Sequence, residues 1–435
     1  MRLSPQALLS SLLFLSACNS TKGDKNGTDG VGGTSAVGGG GAPSGGSLSS
    51  GGALTSAGGQ SVGGSANGPT GGASQSGGAS AAGGKGEMSG GSGGSGAGSG
   101  GGAPRETFAY VASGAFGAAE EGKVTVFKLN RETASLDSVG DVPAGGLASF
   151  MAFDLERHRA FVADEENGGV VSFAVEVSTG KLSSLGATPH SNHPVNLAIS
   201  PDGKFLLGAN YNEGSVDLYP ISVEGKSGAS VQTLATGSHA HGLLFDAQGR
   251  LLVSNEGSDN ISHVLLSGER LSLGTPATSD SFSPRHMALG ADGKVYVVSE
   301  RGDSVTAYSS GASGLAQLWQ EKRLDQGSPT DNTGGDIHLT PNGKFLYATN
   351  RGTSNTIVGF DISGAAPVLL GHVSSEGTTP RNFTIDPEGE FLLVANHGTK
   401  KSLAIFRIGS DGKLTKEKVV ETDFTPYFVS LVQYR

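Results

Sequence analysis

Hydrophobic and polar positions alternate in short runs that recur along the C-terminal three quarters of the chain. Each run has the pattern of a β-strand of apolar and small residues that ends in a small or polar residue. Seven runs end at the following positions, which lie 51, 46, 45, 45, 50 and 46 residues apart: Ser113, Asp164, Asn210, Asn255, Glu300, Asn350 and Asn396. A regular spacing of this size predicts a repeated structural unit.

A turn signal precedes five of the seven runs. Each signal ends in glycine, which tolerates the positive φ of a tight turn, and three begin with proline, which presets the first turn dihedral. The signals lie at 201–203, 247–249, 291–293, 341–343 and 387–389. A further alternating segment, such as 215–219, follows each run. About 47 residues with four strands is the size of a propeller blade. Seven blades account for 105–435 and predict an all-β fold, a seven-bladed β-propeller, with a β-sandwich of accidental regularity as the alternative.

The first repeat lacks one strand, and the C-terminal end of the repeated region has one strand to spare. The first repeat begins at Tyr110 and lacks the strand that precedes each hairpin elsewhere. Residues 425–431 parallel 379–385 of the preceding repeat and supply a spare strand. Joining this strand to the first blade would hide both edges. The sequence therefore predicts a ring that is closed by its C-terminal strand.

The composition changes abruptly ahead of the repeats. Residues 19–104 hold 34 of the 73 glycines, mixed with serine and alanine. Such a stretch cannot bury enough apolar surface to offset the entropy of ordering it. We predict a disordered Gly/Ser-rich linker over 18–104.

The N-terminus has the features of an export signal. One positive charge precedes the apolar stretch 7–15, which is too short to span a bilayer because spanning takes roughly 20 residues. The stretch ends in Leu15-Ser16-Ala17-Cys18, which resembles the bacterial lipobox with Cys18 as the lipidated residue. Cys18 is the only cysteine. We expect 1–17 to be a lipoprotein signal peptide and the chain to be exported and anchored by lipid to the outer membrane, its only contact with the membrane. An ordinary signal peptide is the alternative.

Charge and motifs exclude several classes of partner. The net charge is -10 without lysine or arginine runs, which disfavours nucleic acid. The folded part has no glycine-rich nucleotide loop, no Gly-x-Ser-x-Gly elbow and no histidine or carboxylate group at ligand spacing. We therefore expect a monomer that binds no nucleic acid, cofactor or metal.

Aligning the repeats on the turn glycine gives one axial position per blade, at the start of the predicted innermost strand. These positions are Ser149, Val195, His241, Arg285, Gly335, Arg381 and Tyr427. In a propeller the innermost strands start at the end of the central channel where the second strands finish, and we call this end the mouth. Asn210 and Glu300 finish second strands and are therefore expected at the mouth. Convergent polar groups on one concave face are typical of a ligand site. Asn210 has an alternative role as a turn cap, and a purely structural role is the alternative for Arg285 and Arg381.

Several motifs occur in an order that resembles a known family. They are His193-Pro194, Ser200-Pro201-Asp202-Gly203-Lys204-Phe205-Leu206, Ser238-His239-Ala240-His241, Ser283-Pro284-Arg285-His286, Asp336-Ile337-His338-Leu339-Thr340-Pro341 and Asn350-Arg351-Gly352. Over about 107–433 the chain resembles the lactonase family of seven-bladed β-propellers, which includes bacterial 6-phosphogluconolactonases and a fungal carboxymuconate cyclase. Where many relatives carry Asp-Leu-Gly and Asn-Glu-Leu, this chain has Asn255-Glu256-Gly257 and Ser299-Glu300-Arg301.

The resemblance implies a catalytic set, which falls on His241, Arg285, Glu300 and Arg351. Opening a lactone with water needs a base for the water and cations for the developing oxyanion. Glu300 or His241 would be the base, and the two arginines would hold the oxyanion or a substrate carboxylate.

Three further residues are expected to bind substrate at the same mouth: Arg381, Asn210 and Tyr427. The expected function is hydrolysis of a sugar lactone or carboxy-lactone, with a small lactone or carboxylate as ligand. The alternative is a non-catalytic envelope-binding propeller, because 347–352 also resembles the Tyr-Val-Thr-Asn repeats of surface propellers. A metal-dependent gluconolactonase fits less well, because it implies six blades.

Overall fold

The structure is a computed structural model that describes residues 106–118, 120–274, 278, 282–325, 328 and 331–434. The predicted signal peptide 1–17, the linker 18–104 and the lipidation residue Cys18 lie outside the described residues. The described part is built from strands, with one turn of 3₁₀ helix at Phe116–Ala118. None of its helices is long and apolar enough to cross a bilayer.

The strands form seven antiparallel sheets of four, here called blades 1 to 7. The first four blades contain β1 (Thr107–Ala115), β2 (Glu120–Asn130), β3 (Ser135–Pro143), β4 (Ala148–Asp154), β5 (Arg159–Asp164), β6 (Val170–Val175), β7 (Leu182–Thr188), β8 (Pro194–Ile199), β9 (Phe205–Asn210), β10 (Ser215–Pro220), β11 (Gln232–Ala235), β12 (Ala240–Phe245), β13 (Leu251–Asn255), β14 (Asn260–Ser267) and β15 (Arg270–Leu273). The other three contain β16 (Pro284–Leu289), β17 (Val295–Ser299), β18 (Ser304–Gly311), β19 (Gly314–Lys322), β20 (Thr333–Leu339), β21 (Phe345–Arg351), β22 (Thr356–Asp361), β23 (Val368–Ser374), β24 (Pro380–Ile385), β25 (Phe391–Asn396), β26 (Ser402–Ile408) and β27 (Leu414–Glu421). The last strand, β28 (Pro426–Gln433), belongs to blade 1.

The blades are arranged in a ring around an axis. Blades 2 to 7 each consist of four consecutive strands, with the first of the four innermost. The innermost strand of each blade contacts that of the next, and β28 contacts both β24 and β4. The predicted seven-bladed β-propeller is therefore confirmed.

The C-terminal strand closes the ring as predicted. Blade 1 has the strand order β28-β1-β2-β3, and Val429 of β28 pairs with Val111 of β1. The Val429 amide also donates to Asn382 Oδ1 of blade 7 at 2.7 Å. One strand from the end of the chain thus joins its first and last blades.

The predicted hairpin turns lie on the face opposite the mouth. Their five glycines have φ between 68° and 78°: Gly203, Gly249, Gly293, Gly343 and Gly389. A side chain with a Cβ rarely adopts this conformation, which explains the recurrent glycine.

Apolar side chains pack between neighbouring blades. Leu207 of β9 and Val253 of β13, for example, are fully buried in one cluster that joins blades 3 and 4. Similar clusters join other blade pairs. This packing holds the inner ends of the strands in fixed positions around the axis, where the polar residues lie.

Candidate active site

Each innermost strand carries an irregularity close to its predicted axial residue. In β24, Pro380 pairs with Asn396 and Asn382 pairs with Ala395, which leaves Arg381 as an extra residue between them. The other six innermost strands shift register in the same region. A β-bulge re-aims side chains and is common beside active sites. Here two successive residues of one strand, such as Arg285 and His286, line the same axial cavity.

Glu300, just after β17, is held between two arginines. Its Oε2 lies 2.9 Å from Arg285 Nε of the same blade, and its Oε1 lies 2.7 Å from Arg351 Nη2 of blade 6. Burial alone would raise the pKa of Glu300, but Arg351 and Arg285 outweigh it and lower the pKa to about 2. Glu300 is therefore a carboxylate at neutral pH, and three of the four predicted catalytic residues form one ionic cluster.

His241, the fourth predicted catalytic residue, is 3% exposed. Within the described residues, its Nδ1 has no hydrogen-bond partner. Burial, with Arg285 and the other cations nearby, pulls the pKa of His241 well below its usual value. The imidazole is therefore neutral at pH 7, and a neutral imidazole can accept a proton.

Glu256 is a site residue to which the sequence analysis gave no role. It follows β13 and is 3% exposed, with Oε1 3.5 Å from Ser283 Oγ and 3.8 Å from Arg301 Nη2. Burial and the charge of Glu300 raise the pKa of Glu256 to about 7. The mouth therefore holds one carboxylate that stays ionised and one that titrates near neutral pH. Its position directly after the run-ending Asn255 predicts a place at the mouth, but nothing in the sequence signals its raised pKa.

His286 and Asp336 form a second feature that the sequence analysis left without a role, although both stood in the quoted motifs. His286 Nδ1 lies 2.6 Å from Asp336 Oδ1. Oδ2 of the same carboxylate accepts from Asn382 Nδ2 at 2.5 Å and lies 3.0 Å from His338 Nε2. Burial would raise the pKa of Asp336, but His338 and His286 lower it instead. Burial and Arg285 lower the pKa of His286 to about 4.

The predicted substrate-binding residues Arg381 and Tyr427 lie together on the other side of the cavity. The Arg381 guanidinium is 5.1 Å from the centre of the Tyr427 ring, a cation–π distance. The His397 ring packs against the same tyrosine at 4.9 Å. Burial and Arg381 lower the pKa of His397 to about 3, so it adds no charge at neutral pH.

Asn210, the third predicted substrate-binding residue, is not among the residues that line the axial cavity. Its side-chain amide donates to Asp217 Oδ2 at 3.0 Å and to Ser215 Oγ at 3.2 Å, and the residue is fully buried. These bonds join Asn210 to side chains of the next strand, β10, and give it a structural role within blade 3.

The cluster favours anions. The charges of Arg285, Arg351 and Arg381 all act on Glu300. Asp336 is also ionised and Glu256 titrates near neutral pH, so below pH 7 these three guanidinium groups outnumber the two ionised carboxylates. The axial cavity below has a volume of about 10 Å³, which is room for about one water molecule. In the described part of the chain, no three His, Cys, Asp or Glu side chains come together as a metal site would require.

The fold and the site define a class of protein, a seven-bladed β-propeller with an anion-attracting cluster of arginine, histidine and carboxylate groups at one end of its axis. A family model described as lactonase, 7-bladed beta-propeller, matches residues 109–424. The chain belongs to this lactonase family.

Two curated relatives are similar to this chain over most of their own length. The 6-phosphogluconolactonase of Pectobacterium carotovorum is 31% identical over 289 residues, which is 64% of this chain and 84% of the relative. That of Yersinia pestis is 32% identical over 273 residues, which is 58% of this chain and 79% of the relative.

Solved structures have the same fold. A Bacteroides fragilis protein, described as a candidate 6-phosphogluconolactonase, is 25% identical with a TM-score of 0.68 over 76% of this chain and 98% of that one. The periplasmic gluconolactonase of Pseudomonas aeruginosa is 24% identical with a TM-score of 0.69 over 75% of this chain and 99% of that one.

Proposed function

We propose that this protein hydrolyses the ring ester of a sugar lactone or carboxy-lactone at the mouth of the propeller. The observation that carries the proposal is the ionic cluster itself, in which Glu300 holds Arg285 and Arg351 beside the neutral imidazole of His241. Membership of the lactonase family supports this class of reaction.

The cluster has the groups that ester hydrolysis requires. Attack of water on the lactone carbonyl places negative charge on the carbonyl oxygen, and buried cations that are already in position stabilise it. Arg351 Nε has no hydrogen-bond partner in the described part of the chain and is therefore a donor available to this oxygen. His241 would accept the proton of the attacking water. Glu300, with a pKa of about 2, is a weak base and serves to orient the two arginines.

The excess of positive charge favours a substrate that carries an anion. Arg381 lies beside the catalytic cluster on the face of Tyr427, and a guanidinium binds carboxylate or phosphate groups well. A carboxyl or phosphoryl substituent on the lactone would therefore bind near Arg381 and leave the ring carbonyl to Arg285 and Arg351.

The test is hydrolysis of a lactone panel by the full chain in detergent, followed by proton release. The panel holds glucono-δ-lactone, 6-phosphogluconolactone and a carboxy-lactone, so it compares neutral, phosphorylated and carboxylated rings. Turnover well above the uncatalysed rate supports the proposal. Its absence on all three, with saturable binding of the hydrolysed acids, would instead favour the envelope-binding propeller.

A further inference from the structure

Two polar atoms in the axial cavity lack a partner. His241 Nδ1 and Ser149 Oγ belong to residues that are each 3% exposed, and neither atom has a hydrogen-bond partner among the residues that the structure describes. Both residues line the cavity of about 10 Å³. Buried polar atoms are nearly always hydrogen-bonded, and a polar cavity of this size fits a single water molecule with two to four partners.

A third group on the cavity wall has a defined proton position. Because Asp336 is ionised, its Oδ1 can only accept, so His286 carries a proton on Nδ1 and donates this hydrogen bond at 2.6 Å. A neutral imidazole with its proton on Nδ1 keeps Nε2 as an acceptor. Arg285 Nη1 lies almost equally far from the two ring nitrogens, 3.4 Å from Nε2 and 3.5 Å from Nδ1, so it lies over the ring face and leaves the in-plane lone pair of Nε2 to another donor. The His286 ring lies 5.1 Å from the His241 ring, so the two imidazoles form adjacent walls of the cavity.

We propose that the axial cavity binds the water molecule that attacks the lactone, and that His286 and Ser149 hold this water for His241. The water donates its two O–H groups to the histidines and accepts one from Ser149 Oγ. Asp336 is a positioning residue, because it acts through the tautomer of His286. This inference rests on the proposed lactone hydrolysis and adds the source of the nucleophile.

The step balances without a further reactant. The water oxygen forms a bond to the carbonyl carbon while its proton passes to His241, and the charge on the carbonyl oxygen is taken up by the arginines. The bond from the carbonyl carbon to the ring oxygen then breaks, and the ring oxygen takes the proton back from His241. Lactone and water become one hydroxy acid. The imidazolium faces Arg285, Arg351, Arg381 and His286, which disfavour its charge and promote this return.

The first test separates the water site from the reaction. A crystal structure of the chain at a resolution that shows solvent should contain an ordered water within hydrogen-bond distance of His241 Nδ1 and Ser149 Oγ. If the cavity is dry, the proposal is wrong. If the water is present but none of the lactones is hydrolysed, the proposed function fails and the nucleophile role fails with it, while the water-binding site stands.

The second test is kinetic. Ser149→Ala should lower kcat about tenfold with KM unchanged, since one partner of the water is lost and the anion contacts remain. The control is Ser183→Ala on the exposed outer strand β7 of the same blade, which should leave kcat unchanged. Equal kcat values for the two variants would overturn the proposal.

The third test addresses Asp336. Asp336→Asn should lower kcat per folded site by about 10² or more, as expected when a histidine loses its fixed tautomer, while KM stays within twofold. Asp336→Glu, which restores a carboxylate, should recover part of the loss. A merely structural role would instead lower thermal stability and leave kcat per folded site unchanged. If both Asp336 variants fail to fold, the kcat of Ser149→Ala still tests the proposed water site.

Discussion

Among the residues of the site, Glu300 combines burial with two ion pairs. Glutamine at this position keeps the volume but leaves Arg285 and Arg351 without their counter-charge. We expect Glu300→Gln to lower kcat by about 10² or more, because the guanidinium groups lose their fixed orientation. It should also tighten inhibition by the anionic product several-fold, since the site gains one positive charge. Steady-state hydrolysis and product inhibition measure the two effects separately.

The matched control for this substitution is Glu269→Gln. Glu269 is exposed at the hairpin between β14 and β15, on the face opposite the mouth. Its replacement should change neither kcat nor product inhibition. Unchanged turnover in Glu300→Gln would show that the cluster does not take part in the reaction.

Glu256 gives the site a dependence on pH near neutrality. Its pKa of about 7 means that the mouth gains a negative charge as pH rises through 7. We expect the KM of an anionic lactone to rise several-fold between pH 6 and pH 8, and to stay level in Glu256→Gln. A neutral lactone should show little change in either protein. The same rise of KM in both proteins would assign the effect to another group.

The same carboxyl group should affect stability with a definite sign. Because burial raises the folded-state pKa of Glu256 above the usual value of 4.5, the folded chain keeps a proton that the unfolded chain releases. The stabilising effect is present below pH 4.5 and is lost as pH rises through 7. Glu256→Gln should therefore gain stability relative to the wild type between pH 5 and pH 8, as measured by urea unfolding at both pH values. If the difference in unfolding free energy between Glu256→Gln and the wild type were the same at pH 5 and pH 8, the raised pKa of Glu256 would be contradicted.

At the scale of strands, the sequence predicted the axial positions but not all of the side chains that meet there. The turn glycines fix where each innermost strand begins, and so His241, Arg285 and Arg381 were found by alignment. Strict alternation places neighbouring residues on opposite faces of a strand. The register shift between Pro284 and Met287 breaks this rule and brings His286 to the cavity beside Arg285. No hydrophobic pattern signals such a bulge.

The raised pKa of Glu256 could not be predicted, for a different reason. Its pKa depends on Glu300 and on arginines that neighbouring strands and blades bring close, so it is a property of the assembled ring. Asn210 shows the reverse case, since its bonds to Asp217 and Ser215 are local to one hairpin, as its alternative structural role at the strand end implied, although they go to side chains and not to the turn backbone. Local bonds can be predicted from the sequence more easily than contacts between blades.

Closure by β28 makes a prediction about stability. Leu431 is 6% exposed and packs with Leu393 and Leu403 of blade 7. Leu431→Ala should cost about 2–5 kcal/mol of unfolding free energy, the usual loss for a buried leucine. The control Leu318→Ala, at a leucine that is 47% exposed on β19, should stay within about 0.5 kcal/mol. Equal urea midpoints for the two variants would mean that β28 contributes little to the closed ring.

At the scale of the whole molecule, the architecture could be predicted because the fold repeats. Seven copies of one strand and turn pattern reinforce a signal that would be weak in a single copy. The acidic chain, with a net charge of -10, nevertheless has a mouth rich in arginine. Net charge therefore led us to expect no nucleic-acid partner but could not reveal a local site for anions.

For the location of the whole molecule, we propose that the chain is exported and anchored to a membrane by lipid on Cys18. The apolar stretch 7–15 is too short to span a bilayer, so stable attachment requires acyl chains, which contribute about 0.8 kcal/mol per buried CH₂ group. In a Gram-negative host, the wild-type chain should incorporate labelled palmitate and fractionate with membranes. Cys18→Ser should lose the label and leave the membrane fraction, whereas the control Ser20→Ala should behave as the wild type. A wild-type chain without label, or an unlabelled Cys18→Ser chain that stays with the membranes, would contradict anchoring through this residue.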